Sequence, residues 1–262
     1  MKFLPTAAVL ILLISCNNAD KKEGLSMPGA YKMLYQKVKG GKTDTTFTSL
    51  QQQKIFTDEY MMYANFNPSD SVSAFGVATY SVNADTVTEK VFFSGSDSSK
   101  TESPRNYKLL IEKTGIGYKQ IIPEIESQGE KFILTEDYEA VGTNSKSALD
   151  GAWKLEKTMY IKGKDTSSQP LTQFKIYHAG HFIWGHSYTD SSSKIHTGMG
   201  FGTFALNGTD KLKEMATVST YYEVRGKSFD IAVAMNGSDA FTQTITNKDS
   251  SVQVETYRRI KK

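Results

Sequence analysis

Gly151-Ala152-Trp153-Lys154 repeats Gly29-Ala30-Tyr31-Lys32 at a distance of 122 positions. Other pairs follow in the same order and at nearly the same spacing. Lys54-Ile55-Phe56 returns as Lys175-Ile176-Tyr177, and Thr79-Tyr80-Ser81-Val82-Asn83 as Thr203-Phe204-Ala205-Leu206-Asn207. Tyr118-Lys119-Gln120-Ile121-Ile122 returns as Phe241-Thr242-Gln243-Thr244-Ile245, and Glu136-Asp137-Tyr138 as Glu255-Thr256-Tyr257. A period this long exceeds any solenoid unit. It matches a domain with its own core, for which ~100–150 residues is the usual size. The reading is an internal duplication, with copies at 29–141 and 151–262 joined by a Ser/Asn/Gly/Lys-bearing linker at 142–150.

Within the second copy the hydrophobic period is two. Phe229, Ile231, Val233 and Met235 alternate with Ser228, Asp230, Ala232 and Ala234. Trp153, Leu155, Met159 and Ile161 share one parity, and so do Phe182, Trp184, His186 and Tyr188. Such alternation marks half-buried strands. Asn207-Gly208 and Asn236-Gly237 interrupt the runs, and both residue types tolerate the positive φ of a tight hairpin turn. Eight runs are counted in the second copy: 152–161, 172–178, 181–188, 199–206, 212–221, 228–236, 240–246 and 252–260. The first copy gives a similar count, less clearly at 30–38. Asp210–Met215 fits either a strand or a helical turn. The expected fold class is all-β, as two tandem eight-stranded antiparallel barrels, since closure removes unpaired edges. A β-sandwich fits the same pattern.

Gly151-Ala152-Trp153 resembles the Gly-x-Trp signature that opens the first strand of lipocalins. That resemblance implies a basic residue on the last strand packing over Trp153 and closing the barrel floor. Arg258 and Arg259 lie in that region, and Arg259 shares its face with Glu255 and Tyr257. Gly151, Trp153 and Arg259 are therefore the expected barrel-closing set. His181-Phe182-Ile183-Trp184 and the Gly-rich run 198–207 resemble lipocalin-like domains of unknown function common in secreted proteins of Bacteroidota. The first copy departs from the signature at both partners, with Tyr31 for the Trp and Ala140 for Arg259. It is expected to be the less regular barrel.

The amino terminus carries an address. Lys2 precedes a 12-residue, mostly apolar stretch, Phe3–Ile14. Spanning a bilayer takes ~20 apolar residues, so this segment reads as a secretory signal. Leu13-Ile14-Ser15-Cys16 resembles the lipobox of bacterial lipoproteins. This implies removal of residues 1–15 and acylation of Cys16, with 16–28 as lipidated residue and tether. The expected partner is thus membrane lipid, and the expected location is the bacterial cell envelope. In the lipoproteins this segment resembles, an Asp after the cysteine retains the protein at the inner membrane, so Asn17 implies the outer membrane, and its periplasmic and external faces both stay open.

Few residues suggest chemistry. A net charge of +3 and no clustered basic stripe argue against nucleic acid. A single cysteine excludes an internal disulfide framework. No nucleophile elbow, phosphate loop or zinc-protease motif is present, so no enzyme, cofactor or metal is expected. All four histidines, His178, His181, His186 and His196, fall within the second copy. They read as surface or pocket-lining groups. The stripe Phe182, Trp184, His186 and Tyr188, with Phe204 and Met235, is the candidate lining for a small, largely apolar ligand. An eight-stranded barrel can hold such a ligand or be filled by side chains. Filled barrels would point instead to an interaction module that binds a surface protein or glycan.

Overall fold

The computed structural model describes residues 25–69, 71–95, 105–127 and 129–261. The signal segment and Cys16 lie outside the described residues. The regular structure of the described chain is entirely β and forms two closed antiparallel barrels in tandem. The first comprises β1 (Gly29–Gly40), β2 (Thr43–Phe47), β3 (Gln51–Phe56), β4 (Tyr60–Phe66), β5 (Ser73–Asn83), β6 (Thr86–Ser94), β7 (Arg105–Lys113), β8 (Gly117–Ser127) and β9 (Glu130–Ala140). The second repeats this series as β10 (Gly151–Lys162), β11 (Asp165–Ser167), β12 (Thr172–His178), β13 (His181–Thr189), β14 (Ile195–Asn207), β15 (Lys211–Ser219), β16 (Lys227–Asn236), β17 (Ala240–Thr246) and β18 (Val252–Arg259).

Each barrel closes with eight strands around its wall. The start of β1 pairs with β3 and its far half with β2, so β2 and β3 act as one interrupted strand. β1–β9 and β10–β18 pairings complete the circles, which sets the sandwich aside. Asp210–Met215 is strand from Lys211 onward. The hairpins follow the turn signals. His178 pairs with His181 across Ala179 (φ 53°) and Gly180 (φ 79°), the doubly positive geometry that matches strand twist.

The duplication extends to the irregularities. β1 is bulged between Met33 and Tyr35, and β10 between Leu155 and Lys157. β5 and β14 each shift register against the next strand, at Val77/Ala78 and Phe201/Gly202. The β10 bulge corrects one inference from parity. Trp153 and Leu155 face inward, but beyond the bulge Thr158 stands opposite the inward Glu255, so Met159 and Ile161 take the other face. The first barrel is the less regular of the two, as expected, but not at Tyr31 and Ala140, where its closing pairing matches that of the second. Its additional register shift lies at Ile122/Ile125, around Pro123, which has no N–H for the ladder.

The barrels pack through equivalent walls. β3 meets β12, β4 meets β13 and β5 meets β14, each strand touching its own counterpart. The match is not a strict twofold, since β13 also meets β3 and β4 also meets β10 and β14. Ile55, Met62, Phe75 and Val77 pack with Phe174, Ile176, Ile183 and Phe201 in one buried cluster. The Phe75 ring occupies the space over Gly185, where any Cβ would collide with it. Gln53 Nε2 donates to the Phe182 carbonyl at 3.3 Å. The outward face of β12 is therefore as buried as its inward face.

Candidate functional site

The inward face of β12 carries Gln173, Lys175 and Tyr177, which is unusual chemistry for a barrel interior. Lys175 Nζ lies 3.0 Å from Glu214 Oε1 and donates to Gln243 Oε1 at 3.1 Å and Tyr177 Oη at 3.2 Å. The Tyr177 hydroxyl donates to Glu214. Gln243 Nε2 and Tyr257 Oη donate to Glu255 Oε2 at 2.6 and 2.5 Å, and Gln173 bonds Tyr257. Burial of charge is tolerated only when it is paired and hydrogen-bonded. This network meets that condition and fills the middle of the barrel.

The first barrel holds the same network except at Phe56, which stands where Tyr177 does and carries no hydroxyl. Lys54 Nζ lies 3.1 Å from Glu89 Oε1 and donates to Gln120 Oε1 at 2.9 Å. Gln120 Nε2 and Tyr138 Oη donate to Glu136 Oε2 at 2.9 and 2.7 Å, and Gln52 bonds Tyr138. Gln, Lys, Glu, Gln, Glu and Tyr are thus identical at six equivalent positions. Most of these residues lie in or beside the quoted repeats, where they served only as markers of duplication. Glu89 and Glu214 went unnoticed. Their signal is a carboxylate on the apolar parity, between Val87 and Val91 and between Leu212 and Ala216.

The polar network divides the candidate lining residues of the second barrel between its two ends. Trp184 and His186 lie toward the β13–β14 end. His186 Nε2 is 2.8 Å from Tyr221 Oη and its Nδ1 3.3 Å from Gln173 Oε1. Burial lowers the His186 pKa to about 4, so the ring is neutral near pH 7. Trp184 stacks on Tyr221 with ring centroids 6.0 Å apart, and Tyr188 on His196 at 5.0 Å. His196 Nε2 in turn lies 2.7 Å from Asp190 Oδ2. A Cβ on Gly198 or Gly200 would press into these rings, so this end is packed. His178 faces Asp150, and His181 bonds the Val141 carbonyl at 2.9 Å. The four histidines are thus engaged separately, and no group of three or more metal-ligating side chains converges among the described residues.

Phe182, Phe204 and Met235 lie toward the opposite end, beneath the linker. Phe182 is fully packed against Tyr177, 6.1 Å between centroids. Phe204 and Met235 instead border a cavity of about 400 Å³ at the barrel mouth, partly open to solvent. Its apolar floor includes Leu206, and linker residues Lys146 and Ser147 contribute to its wall with Thr209. Sequence reasoning missed the linker's part, because a segment without periodicity carries no sign of what it covers.

Beside the cavity, Trp153 is buried and its indole N–H donates to the Leu149 carbonyl at 2.8 Å. The Arg259 guanidinium sits 4.0 Å over the Trp153 ring. Arg259 also donates to the Asp150 carbonyl at 2.7 Å and the Ser238 carbonyl at 2.8 Å, tying the linker to the last hairpin. Gly151 has φ +138°, and a Cβ there would strike the guanidinium. In the first barrel Tyr31 stands opposite Ala140, and the Tyr31 hydroxyl donates to the Met27 carbonyl at 3.1 Å. The hydrogen bond to the preceding segment is retained there, and the cation is absent.

No protein-family model matches the chain, and no curated protein matches it in sequence.

Proposed function

We propose that the chain is a bacterial envelope lipoprotein, anchored by acylated Cys16, and that its second barrel binds a small, largely apolar ligand without catalysis. The observation that carries this reading is the cavity of about 400 Å³ between the linker and the floor of Phe204, Leu206 and Met235. Binding sites of this type are concave, mostly apolar and edged by a few polar groups. At ~30 Å³ per water, the volume equals roughly thirteen waters, enough for a short amphipathic molecule. The polar network across the barrel favours a ligand at the linker end over one threaded along the axis.

Mass spectrometry of an organic extract of the purified protein should detect a stoichiometric small molecule. Met235→Trp, which fills the cavity, should eliminate it. An empty extract, together with no saturable binding of decanoate, refutes the ligand reading. Such a result would favour the alternative, a module with filled barrels that binds a surface protein or glycan, which the duplicated polar network also suits. The anchor is tested separately: Cys16→Ala should move the protein to the soluble fraction, and continued membrane association would refute it.

A further inference from the structure

The two networks differ by one relocated hydroxyl. In the second barrel Tyr177 donates to Glu214, and Phe241 lies beside it with ring centroids 6.3 Å apart. In the first barrel the equivalent rings are Phe56 and Tyr118, 6.5 Å apart. The hydroxyl has crossed from one ring to its neighbour, and two groups feel the change. Glu89 keeps its bond from Lys54 but loses the tyrosine donor that Glu214 enjoys. The hydroxyl of Tyr118, a residue 3% exposed, has no hydrogen-bond partner among the described residues.

We propose that the first barrel contains a built site for one internal water molecule, held between Tyr118 Oη and the Glu89 carboxylate. Phe56 offers the Glu89 carboxylate no hydroxyl where Tyr177 offers one to Glu214, and Glu89 is near enough to Tyr118 for its charge to add to burial in raising the Tyr118 pKa. A water there accepts from Tyr118 and donates to Glu89, completing both groups. A buried water is stable where the site is polar and offers two to four partners, and an unsatisfied buried hydroxyl is otherwise costly. The second barrel supplies the control: its tyrosine hydroxyl occupies the corresponding place, and the residue at the Tyr118 position is a phenylalanine with nothing to satisfy. The same interior frame is thus closed covalently in one copy and by solvent in the other.

The sign of a substitution separates a hydrated site from an orphan hydroxyl. Tyr118→Phe removes one anchor of the water, and the folding equilibrium constant of the full chain should fall about fivefold to tenfold in denaturant unfolding. Phe56→Tyr combined with Tyr118→Phe grafts the second barrel's arrangement and should restore stability to within about twofold. If Tyr118→Phe is neutral or stabilising, the hydroxyl was an orphan and the proposal fails. Should the variants not fold, the wild-type protein still decides. A crystal structure at about 1.5 Å should show one ordered water within hydrogen-bond distance of Tyr118 Oη, and an empty site there overturns the inference.

Discussion

The two barrels agree where the interior is charged and differ where it opens. Lys, two Glu, two Gln and a Tyr recur at equivalent positions, with the same bulges and the same wall used for mutual contact. The Trp153–Arg259 lock, the Trp184–Tyr221–His186 stack and the linker-covered cavity belong to the second barrel. Duplication makes each copy a control for the other. What both retain is the device that holds an eight-stranded barrel shut around a filled middle. The second barrel's own features are the place to test the proposed ligand.

The comparison breaks most readily at the buried lysines. Lys175→Met leaves Glu214 buried without its cation and should cost about 3–5 kcal/mol in denaturant unfolding. Lys54→Met should cost a similar amount in the first barrel. A large loss from one and none from the other would show that the shared network does different work in the two copies.

The next effect concerns His186, whose counterpart across from Gln52 is Asn65. Burial lowers the His186 pKa to about 4 from 6.5. The unfolded chain therefore binds the proton more tightly between those values. Stability is fully present above pH 6.5 and declines as pH falls toward 4, by up to about 1.4 kcal/mol per pH unit. His186→Asn, which imports the first barrel's residue, should flatten that slope in unfolding curves measured from pH 4 to 7.

Smaller effects are expected at the floor. Arg259→Ala should destabilise the protein by about 0.5–2 kcal/mol through loss of the contact over Trp153, detected as a lower thermal midpoint. Building the lock into the first barrel, by Tyr31→Trp with Ala140→Arg, should raise stability by at most about 1 kcal/mol. A gain from the pair that neither single change gives would show that the two residues act as a unit.

The barrel pair was legible in the sequence because strand alternation and the five repeated segments are local signals. The inward set Phe229, Ile231, Val233 and Met235 could be read directly. β12 could not, because its pattern is inverted: Gln173 and Lys175 point inward while Phe174 and Ile176 face the other barrel. Alternation identifies two faces and does not say which of them is the core when both are buried. The site was legible in part for a related reason. Phe204 and Met235 reach the cavity and Trp184, His186 and Tyr188 do not, although all share inward parity. Parity fixes the face, and only three-dimensional packing fixes the height along the barrel at which Lys175 and Glu214 divide it. The part played by Lys146 and Ser147 depends on a linker fold that no periodicity announces.

The most direct test follows the Met235 methyl and the Trp184 indole N–H by NMR while decanoate is added to the Cys16→Ala protein. The two probes report opposite ends of the second barrel. The Met235 signal should shift saturably while that of Trp184 stays in place. A shift confined to Trp184, or no saturable shift at either probe, would contradict a ligand site beneath the linker.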